Sequence, residues 1–597
     1  MSKVVRIGGA TAFRFDSVTA VPQLLKGGVD YLVFDNLAEG SIGAFGQMAA
    51  KDPKGGFATE FAPIYIAPFL GEILSKKVRV IANAGALNPK GCADAIAKAA
   101  SELGFAPKIA YVEGDDLRAR EAELRAAGYK DMFSGAPFPD KPATSINAYL
   151  GGFPIARALD RGADIVITGR VVDSALALGP LIHEFGWGFD DLDLLAAGTV
   201  AGHLLECGTQ VTGGTFTDWQ DVPDWAHIGF PIGECHADGT VVITKPAGTG
   251  GLVSVGTVAE QMLYEVSDPG AYFVPDVTVD FTGVELAQIG PDRVRVSGAR
   301  GKPRTSTAKV SLTYEDGWRA IAIQPIMGID APAKAQRQAE ALIERSRDML
   351  RARNLGDFKH SHIELLGAEA TYGSRGRRSD TREIILRMSV DHDEREGAEL
   401  FAREQLSAIT TMSVGTSIGL GGSVQPLLHL FSFLLPKDQL QAKMTIGGVT
   451  EIVPVPTAGG YERRPQPPEP APPRIDEPVA VPLIRLAWGR SGDKGDLFNV
   501  AAIARKADYL PYIRAALSPE AVARWYADVF PPGAKPRVDR YEVPGVHALN
   551  FVVHEALDGG ITSSPRLDKV AKAMAQQLLE FPVPIPRTLA SALEARA

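Results

Sequence analysis

The densest group of potentially reactive side chains in this sequence comprises His203, Glu206 and Cys207. Their spacing of i, i+3 and i+4 would place all three on one face of a helix. A histidine beside a cysteine can act as the base for a nucleophilic thiol. The three side chains could also bind a metal ion, but a fourth ligand at a recognised spacing is missing, so we predict no metal site. The alternative is that Gly208 ends a helix and Cys207 is buried as a small apolar residue.

A second set of candidates lies directly after the predicted strands of the N-terminal third. Ligands of open parallel sheets bind beyond the carboxyl ends of the strands. Each strand end alone could equally cap a helix or form a turn. Because four strand ends supply carboxylates, carboxamides or an arginine to one edge, we expect a binding site there. The four segments are 35–40, 83–89, 113–116 and 169–174, and the candidates that we select from them are Asn83, Asn88, Arg170 and Asp173.

A third candidate is a glycine-rich loop after the predicted strand Val241–Thr244. A strand, a glycine loop and a helix start can together bind an anion, and Lys245 would add positive charge. The loop matches neither the Walker pattern nor the dinucleotide fingerprint, so it predicts neither an NTPase nor a dinucleotide enzyme. A phosphate-bearing substrate such as a CoA thioester would fit, and an ordinary turn is the alternative. The loop contains Lys245, Gly248, Thr249, Gly250 and Gly251.

The segment Gly415–Gly419 matches the Gly-x-Ser-x-Gly pattern of hydrolases, with Ser417 at its centre. That motif requires a strand before the serine and a helix after it. Here a helical pattern precedes the serine and more glycines follow it. The sequence context therefore argues against a nucleophile at Ser417.

Charged groups are also concentrated in the segment from Arg490 to Asp496, after the predicted strand Leu483–Ala487. It holds two cations, two carboxylates, a hydroxyl and two glycines. Such a segment is either a solvated turn or a site of ligand or interdomain recognition. We select Arg490, Ser491, Asp493 and Lys494 as candidate binding residues.

The elements that would position these residues alternate between strands and helices. Apolar strands between amphipathic helices predict a parallel sheet that is covered on both faces. The fold class is therefore α/β. The predicted strands are Val4–Ile7, Asp30–Phe34, Lys77–Ala82, Lys108–Val112 and Asp164–Thr168, with helices at Ser17–Leu25 and Gly91–Leu103.

The rest of the chain divides at a change of composition near residue 452. We predict a body at 1–452, in which about 230–450 form a β-rich α+β section. The proline-rich stretch 453–482 predicts an extended spacer, and 483–597 a small α+β domain. Further predicted strands are Thr307–Tyr314, Trp318–Ile323, His362–Leu366, Glu383–Ser389 and Leu549–Val553, and further predicted helices are Pro332–Arg353, Gly397–Met412, Pro519–Phe530 and Leu567–Leu579.

The composition excludes several classes of protein. Of the 597 residues 45% are hydrophobic and 22% charged, which is typical of globular proteins. A net charge of −9 without a basic stripe argues against nucleic acid, and no apolar run reaches the ~18 residues of a spanning helix. Three cysteines without a C-x-x-C favour neither disulfides nor zinc. We expect a cytoplasmic homo-oligomer with a small-molecule substrate and no nucleic-acid or membrane partner.

Several of these segments together resemble the acyclic terpene utilisation (AtuA) family, over essentially the whole chain. The resemblance includes an AtuA-like C-terminal domain from about Leu483. It implies catabolism of acyclic terpenoids through branched acyl-CoA intermediates. The segments that carry it are Gly8-Gly9, Asp30–Phe34 with Leu37–Glu39, Asn83–Pro89, Ile167–Asp173 and Arg490–Gly495.

We therefore expect an enzyme that acts on a branched or hydroxylated acyl-CoA by lyase or hydratase chemistry, with CoA as part of the substrate and no tightly bound cofactor. Asp173 or Glu206 would be the base, and His203 the partner acid. Arg170, Asn83 and Asn88 would orient a carboxylate or thioester carbonyl, and the loop from Lys245 would hold phosphate. A hydrolase that uses Cys207 or Ser417, or a non-catalytic binding or scaffold subunit, is the alternative.

Overall fold

The computed structural model describes residues 3–419, 421–463 and 468–594. The strands in chain order are β1 (Val4–Thr11), β2 (Tyr31–Phe34), β3 (Arg79–Ala82), β4 (Ile109–Glu113), β5 (Ala143–Ala148), β6 (Ile165–Thr168), β7 (Ile232–His236), β8 (Val241–Thr244), β9 (Tyr272–Phe273), β10 (Thr278–Asp280), β11 (Glu285–Gly290), β12 (Arg293–Ser297), β13 (Arg300–Lys302), β14 (Thr307–Met327), β15 (His360–Leu366), β16 (Glu383–His392), β17 (Gly422–Pro436), β18 (Lys443–Ile446), β19 (Val449–Ile452), β20 (Pro478–Pro482), β21 (Ala487–Lys494), β22 (Leu497–Ala504), β23 (Val538–Val543), β24 (Ala548–Val553) and β25 (Pro582–Pro586).

The α-helices in chain order are α1 (Ala20–Gly27), α2 (Glu39–Lys51), α3 (Leu70–Ser75), α4 (Pro89–Glu102), α5 (Glu121–Ala126), α6 (Phe153–Asp160), α7 (Ala175–Phe185), α8 (Leu192–Leu205), α9 (Val255–Met262), α10 (Ala331–Ala352), α11 (Arg395–Glu404), α12 (Ala408–Thr411), α13 (Leu510–Ala516), α14 (Pro519–Trp525), α15 (Gly560–Ser563), α16 (Met574–Leu578) and α17 (Arg587–Glu594).

A large sheet with the order β11-β12-β8-β7-β1-β2-β3-β6-β4-β18-β19 forms the centre of the body. Strands β1, β2, β3, β6 and β4 are parallel, and antiparallel strands extend the sheet on both sides. Alternate residues enter two different cores: Tyr31 and Val33 pack on one face, and Leu32 and Phe34 on the other. The predicted parallel α/β sheet covered on both faces is thus confirmed.

A second sheet, with the order β15-β16-β14-β17, lies beside the first. The prediction of two strands at Thr307–Tyr314 and Trp318–Ile323 was wrong, because β14 runs through both and only its pairing with β17 is irregular, between Glu315 and Trp318. Strands β5 and β17 were not predicted, and both pair with β14. Helices α10 and α11 cover one face of this sheet.

The C-terminal residues form an antiparallel sheet with the order β21-β22-β24-β23, and β20 pairs with β25. The predicted strand Leu483–Ala487 was wrong in position: a short 3₁₀ turn occupies Leu483–Arg485, and the strand β21 begins at Ala487. The charged segment from Arg490 to Lys494 therefore lies on a strand instead of in a loop. The helix predicted at Leu567–Leu579 is reduced to α16.

The predicted proline-rich spacer is only partly a spacer. Residues 464–467, at its centre, lie outside the described residues. At its start Val453 is buried in the core of the body. Further along, Gly460 N donates to Arg304 O, and the Tyr461 ring packs edge-on against Phe273. The last five residues of the predicted spacer form β20.

The C-terminal domain is fixed to the body by buried polar contacts. Asp218 of the body accepts hydrogen bonds from Trp488 Nε1 (2.7 Å) and from both terminal nitrogens of Arg505 (2.6 Å each). Asn499 and Asn550 donate to backbone carbonyls of the segment that follows α9. These contacts place the end of β21 against the body. In the part of the chain that the structure describes, no helix is long and apolar enough to cross a membrane.

Candidate functional site

A cavity of about 460 Å³ lies where the edge of the parallel sheet, the start of β14 and the end of β21 meet. Its polar lining comes from all three parts of the fold, and its apolar lining from the second sheet and the segment around β9. The polar residues include Glu39, Tyr149, Arg170, Asp173, Glu265, Tyr272, Lys309 and Lys494, and the apolar ones include Met132, Phe133, Val172, Phe273, Val274, Pro275 and Leu434.

Three ion pairs line this cavity. Arg170 Nη1 lies 2.5 Å from Asp173 Oδ1, Lys494 Nζ lies 3.1 Å from Glu265 Oε2, and Lys309 pairs with Glu39. Burial alone would raise the pKa of Glu39, but the charges of Lys309 and Lys494 lower it to about 2. The cavity therefore presents three cations, each paired with a carboxylate, and such cations can stabilise negative charge that develops on a substrate.

Arg170 is held in place by the end of strand β6 and by the cavity wall. Its backbone N donates to Asp115 Oδ2 (2.7 Å), its Nη1 donates to Leu37 O (3.2 Å), and its guanidinium lies 4.4 Å from the centroid of the Tyr149 ring. Burial raises the pKa of Asp115 to about 7. A Cβ at Gly169 would lie 2.4 Å from Asp115 Oδ1, so only glycine allows this carboxylate to reach the backbone of Arg170.

Asn83, another strand-end candidate, lies behind the cavity. Its Nδ2 donates to Asp35 Oδ1 (2.6 Å), and its Oδ1 accepts from Asn36 N (2.6 Å). Burial and the charge of Asp173 raise the pKa of Asp35 well above its ordinary value. Asn83 thus holds the Asp35 carboxyl group in position, and its hydrogen bond opposes part of the rise in the pKa of Asp35.

His203, Glu206 and Cys207 lie at the end of α8, outside the cavity lining. His203 Nδ1 and Glu206 Oε1 are 3.0 Å apart, the contact that an i, i+3 spacing implies. The His203 ring packs near Tyr272, which does line the cavity. Burial raises the pKa of Glu206 and that of the Cys207 thiol. A raised thiol pKa opposes the thiolate that a cysteine nucleophile needs.

Asn88 and the glycine-rich loop make contacts that leave them little capacity for a ligand. Asn88 caps α4: its Oδ1 accepts from Gly91 N (2.8 Å), and its Nδ2 donates to Gly55 O (3.0 Å). Lys245 Nζ bonds Thr249 O (2.9 Å) and pairs with Asp292 (3.1 Å).

Three backbone N–H groups of this loop are also engaged. Thr249 donates to Pro246 O, Gly250 to His227 O and Gly251 to Pro223 O, and Gly248 has a positive φ of 77°. An anion site requires N–H groups without partners, and these three already donate within the loop or to the segment 223–227. It lies outside the cavity lining.

Of the four candidates on β21, Lys494 lines the cavity. Arg490 bonds Gln210 and Thr215 and stacks over Tyr264, so it joins the domain to the body. Ser491 Oγ donates to Ala571 O (2.6 Å) and accepts from Ala575 N (2.9 Å) inside the C-terminal domain. Burial and the charge of Glu265 raise the pKa of Asp493 to about 8.

Ser417 lies far from this constellation in the fold. It precedes β17 in the chain, its backbone N donates to Pro325 O, and α12 comes before it. The strand–serine–helix order of a hydrolase elbow is not present at this position.

Three polar residues of the cavity wall could not be identified as site residues from the sequence. Tyr149 follows β5, which was not predicted, and Lys309 lies within a strand where alternation alone gives a lysine no special role. Glu265 follows α9 in a segment without a recognisable motif. Glu39 had a weak signal, since it belongs to the strand-end segment 35–40. Within the described residues, no group of three or more His, Cys, Asp or Glu side chains is placed to hold a metal ion.

Comparison with known proteins identifies two family models along the chain. The model described as "Acyclic terpene utilisation family protein AtuA" matches residues 5–446, and the model described as "AtuA ferredoxin-like domain" matches residues 481–584. No curated protein and no solved structure matches the chain.

Proposed function

The chain belongs to the acyclic terpene utilisation (AtuA) family, and from that premise we propose that it is a catabolic enzyme acting on a branched or hydroxylated acyl-CoA thioester. The proposed chemistry is that of a lyase or hydratase, in which water is added to or eliminated from the carbon β to the thioester carbonyl. The degradation of terpenoids or branched acids would supply such a substrate.

The observation that carries this proposal is the placement of Asp173, Arg170 and Lys494 in the lining of one cavity. Elimination of water from a 3-hydroxyacyl thioester requires a base for the proton on the α-carbon and positive charge for the enolate oxygen. Asp173 supplies a carboxylate, and Arg170 and Lys494 supply the cations. The charge of Asp173 raises the pKa of Lys494, and both side chains line the same cavity.

The apolar half of the cavity supports a branched hydrocarbon chain as the remainder of the substrate. Phe133, Phe273 and Leu434 contribute large apolar side chains to this half, on the side of the second sheet and β9. A pocket that combines an apolar wall with a few polar groups orients its ligand by the polar groups and binds it by apolar burial.

In the proposed reaction Asp173 removes the α-proton, and the electron pair of that C–H bond forms the enolate. The enolate then collapses to a carbon–carbon double bond as the bond to the β-hydroxyl breaks. The departing oxygen takes up one proton and leaves as water. Arg170 and Lys494 would stabilise the enolate oxygen. The loop from Lys245 to Gly251 has no role in this scheme, because it lies outside the cavity lining and Lys245 is already paired.

The test is a panel of 3-hydroxyacyl- and enoyl-CoA thioesters with branched chains, with products followed by mass spectrometry. We expect conversion by the wild type, and a loss of at least about 100-fold in Asp173→Asn and Lys494→Met. Lys494→Met keeps an unbranched apolar stem and removes the charge. The matched controls are Asp508→Asn and Lys506→Met, which change exposed residues of the C-terminal domain and should retain wild-type rates. No conversion by the wild type, with no thermal shift from CoA or the thioesters, would contradict the proposal.

A further inference from the structure

Tyr149 is a cavity residue to which neither the family nor the proposed function assigns a role. It follows β5, whose Ala148 pairs with Val310 of β14, and its backbone N donates to Lys309 O (3.1 Å). This pairing places the Tyr149 ring in the cavity wall next to Lys309, although the two residues are 160 positions apart in the sequence. The ring is buried, and the side chain lines the cavity.

The Tyr149 hydroxyl group has a defined set of partners. It donates to Glu39 Oε1 (2.8 Å), and it lies 3.3 Å from Ser311 Oγ. Lys309 bonds the same carboxylate, so Glu39 is held between an ammonium group and a phenol. Since Glu39 is ionised, it acts as an acceptor and orients the phenol without removing its proton.

Two cations lie close to the Tyr149 ring. The Arg170 guanidinium carbon is 4.4 Å from the ring centroid, and Lys309 Nζ is 5.4 Å from it. A neutral phenol gains a modest cation–π attraction from such neighbours, but a phenolate would gain the full charge–charge attraction of both. The two cations therefore favour the phenolate relative to an isolated buried tyrosine.

In the resting protein the phenol keeps its proton. Burial and the charge of Glu39 raise the pKa of Tyr149, and the charges of Arg170 and Lys309 only partly oppose them. The cavity thus contains a protonated phenol, with Arg170 and Lys309 close to its ring. This combination suits a group that gives up a proton only when a strong base forms next to it.

We propose that Tyr149 is the catalytic acid of this cavity and gives its phenolic proton to the hydroxyl group that leaves the β-carbon. The inference rests on the proposed function. As the bond between the β-carbon and oxygen breaks, its electron pair stays on oxygen, which takes the phenolic proton and departs as water. The phenolate that remains lies close to Arg170 and Lys309, whose charges offset part of the repulsion from Glu39. The α-proton held by Asp173 then returns to the phenolate through water, so the enzyme ends each cycle unchanged.

The experiment compares two leaving groups in wild type and Tyr149→Phe. A hydroxyl group needs a proton in order to leave, whereas chloride does not. With the 3-hydroxyacyl-CoA that the wild type converts, Tyr149→Phe should eliminate water at least about 100-fold more slowly. With the 3-chloro analogue, elimination by Tyr149→Phe, corrected for the uncatalysed rate, should stay within a few-fold of wild type.

Three comparisons decide the outcome. Tyr129→Phe is the matched control: Tyr129 packs against Phe433 in the same part of the body, and this variant should match wild type with both substrates. Asp173→Asn should lose activity with both, because the base serves both leaving groups. Equal losses of Tyr149→Phe with hydroxyl and chloride substrates, or no loss with either, would overturn the assignment. A wild type that converts neither substrate would instead refute the proposed function.

Discussion

At the scale of single residues, the site consists of charges that already have partners. Arg170, Lys309 and Lys494 each pair with a carboxylate of the cavity wall. Each carboxylate compensates the charge of a buried cation. A buried cation without such a partner would destabilise the folded protein. An anionic group of a substrate would share these cations with the carboxylates that already pair with them. Behind them, buried carboxyl groups such as that of Asp115 hold the backbone in position.

The raised pKa of Asp115 predicts that the stability of the protein depends on pH. Its ordinary pKa is 3.8, and burial raises it to about 7 in the folded protein. Between these two values the folded state binds the proton more tightly than the unfolded state does. The contribution of Asp115 to the free energy of unfolding is therefore present at low pH and is lost as the pH rises from about 4 to about 7.

Asp115→Asn should remove this dependence. Relative to Asp115→Asn, the wild type should lose on the order of 2–4 kcal/mol of unfolding free energy between pH 4 and pH 8. Denaturant unfolding at several pH values measures this difference. Asp508→Asn, at an exposed position, should run parallel to wild type. A constant difference between wild type and Asp115→Asn across the range would contradict the prediction.

At the scale of elements, the position of α2 depends on its close approach to β5. Helix α2 begins with Glu39, so its packing decides where this carboxylate meets Lys309 and Tyr149. The contact point is Gly46, where a Cβ would lie 2.2 Å from the carbonyl oxygen of Thr144. No real side chain can occupy that space, so the helix and the strand would have to separate.

Gly46→Ala should therefore destabilise the protein by about 1–3 kcal/mol, in spite of the better helix propensity of alanine. Gly71→Ala in α3 is the matched control, since its Cβ would meet only the far edge of the Phe105 ring at 3.1 Å. This control should be neutral or stabilising by up to about 1 kcal/mol. Thermal and denaturant unfolding measure both. Equal effects of the two substitutions would show that the approach of α2 to β5 is not limiting.

At the scale of the whole molecule, the C-terminal domain completes the cavity. Lys494 is at the end of β21, and the strand reaches the body because Gly492 has no side chain: a Cβ there would lie 2.6 Å from both Tyr264 and Glu265. Arg490 and Asp218 anchor the same strand and its neighbours to the body. The site therefore depends on how the C-terminal domain packs against the body.

Asp218→Ala should loosen this docking. The substitution leaves Arg505 and Trp488 without their acceptor, at a cost of about 2 kcal/mol. We expect faster hydrogen–deuterium exchange in the segment Ala487–Lys494 and a lower affinity for the substrate. Asp348→Ala removes an exposed pair with Arg351 inside α10 and should change neither. Unchanged exchange in Asp218→Ala would mean that the remaining interdomain contacts suffice.

Much of the fold could be predicted from local patterns. The strands that end at Phe34, Ala82 and Thr168 are short apolar runs between helices. Because both faces of these strands are buried, nearly all their residues are apolar, and the strands can be predicted from the sequence. Strands β5 and β17 were not predicted because both pair with β14, whose paired residues are more than 160 positions from those of β5 and 100 to 129 from those of β17. Pairing over such distances leaves no periodic signal in either strand.

The candidate site was predictable to a similar degree. The strand-end rule located Arg170 and Asp173, because the carboxyl ends of parallel strands must meet at one edge. The same rule also selected Asn83, which supports Asp35 behind the cavity, and Asn88, which caps a helix. Residue type and position indicate where a polar group will be, but not whether its hydrogen bonds are used internally.

The sequence by itself determined the parallel α/β core, the small C-terminal domain and the edge of the sheet at which charged groups gather, because hydrophobic periodicity and changes of composition are local properties of the chain. Only the tertiary structure decided which cations reach the cavity. Lys245 precedes a glycine-rich loop and Lys494 lies in a charged segment, yet Lys245 bonds Asp292 and its own loop, whereas Lys494 lines the cavity. Tyr149 and Lys309 meet only through the pairing of β5 with β14. Such contacts depend on the packing of distant segments, and a linear pattern does not contain them.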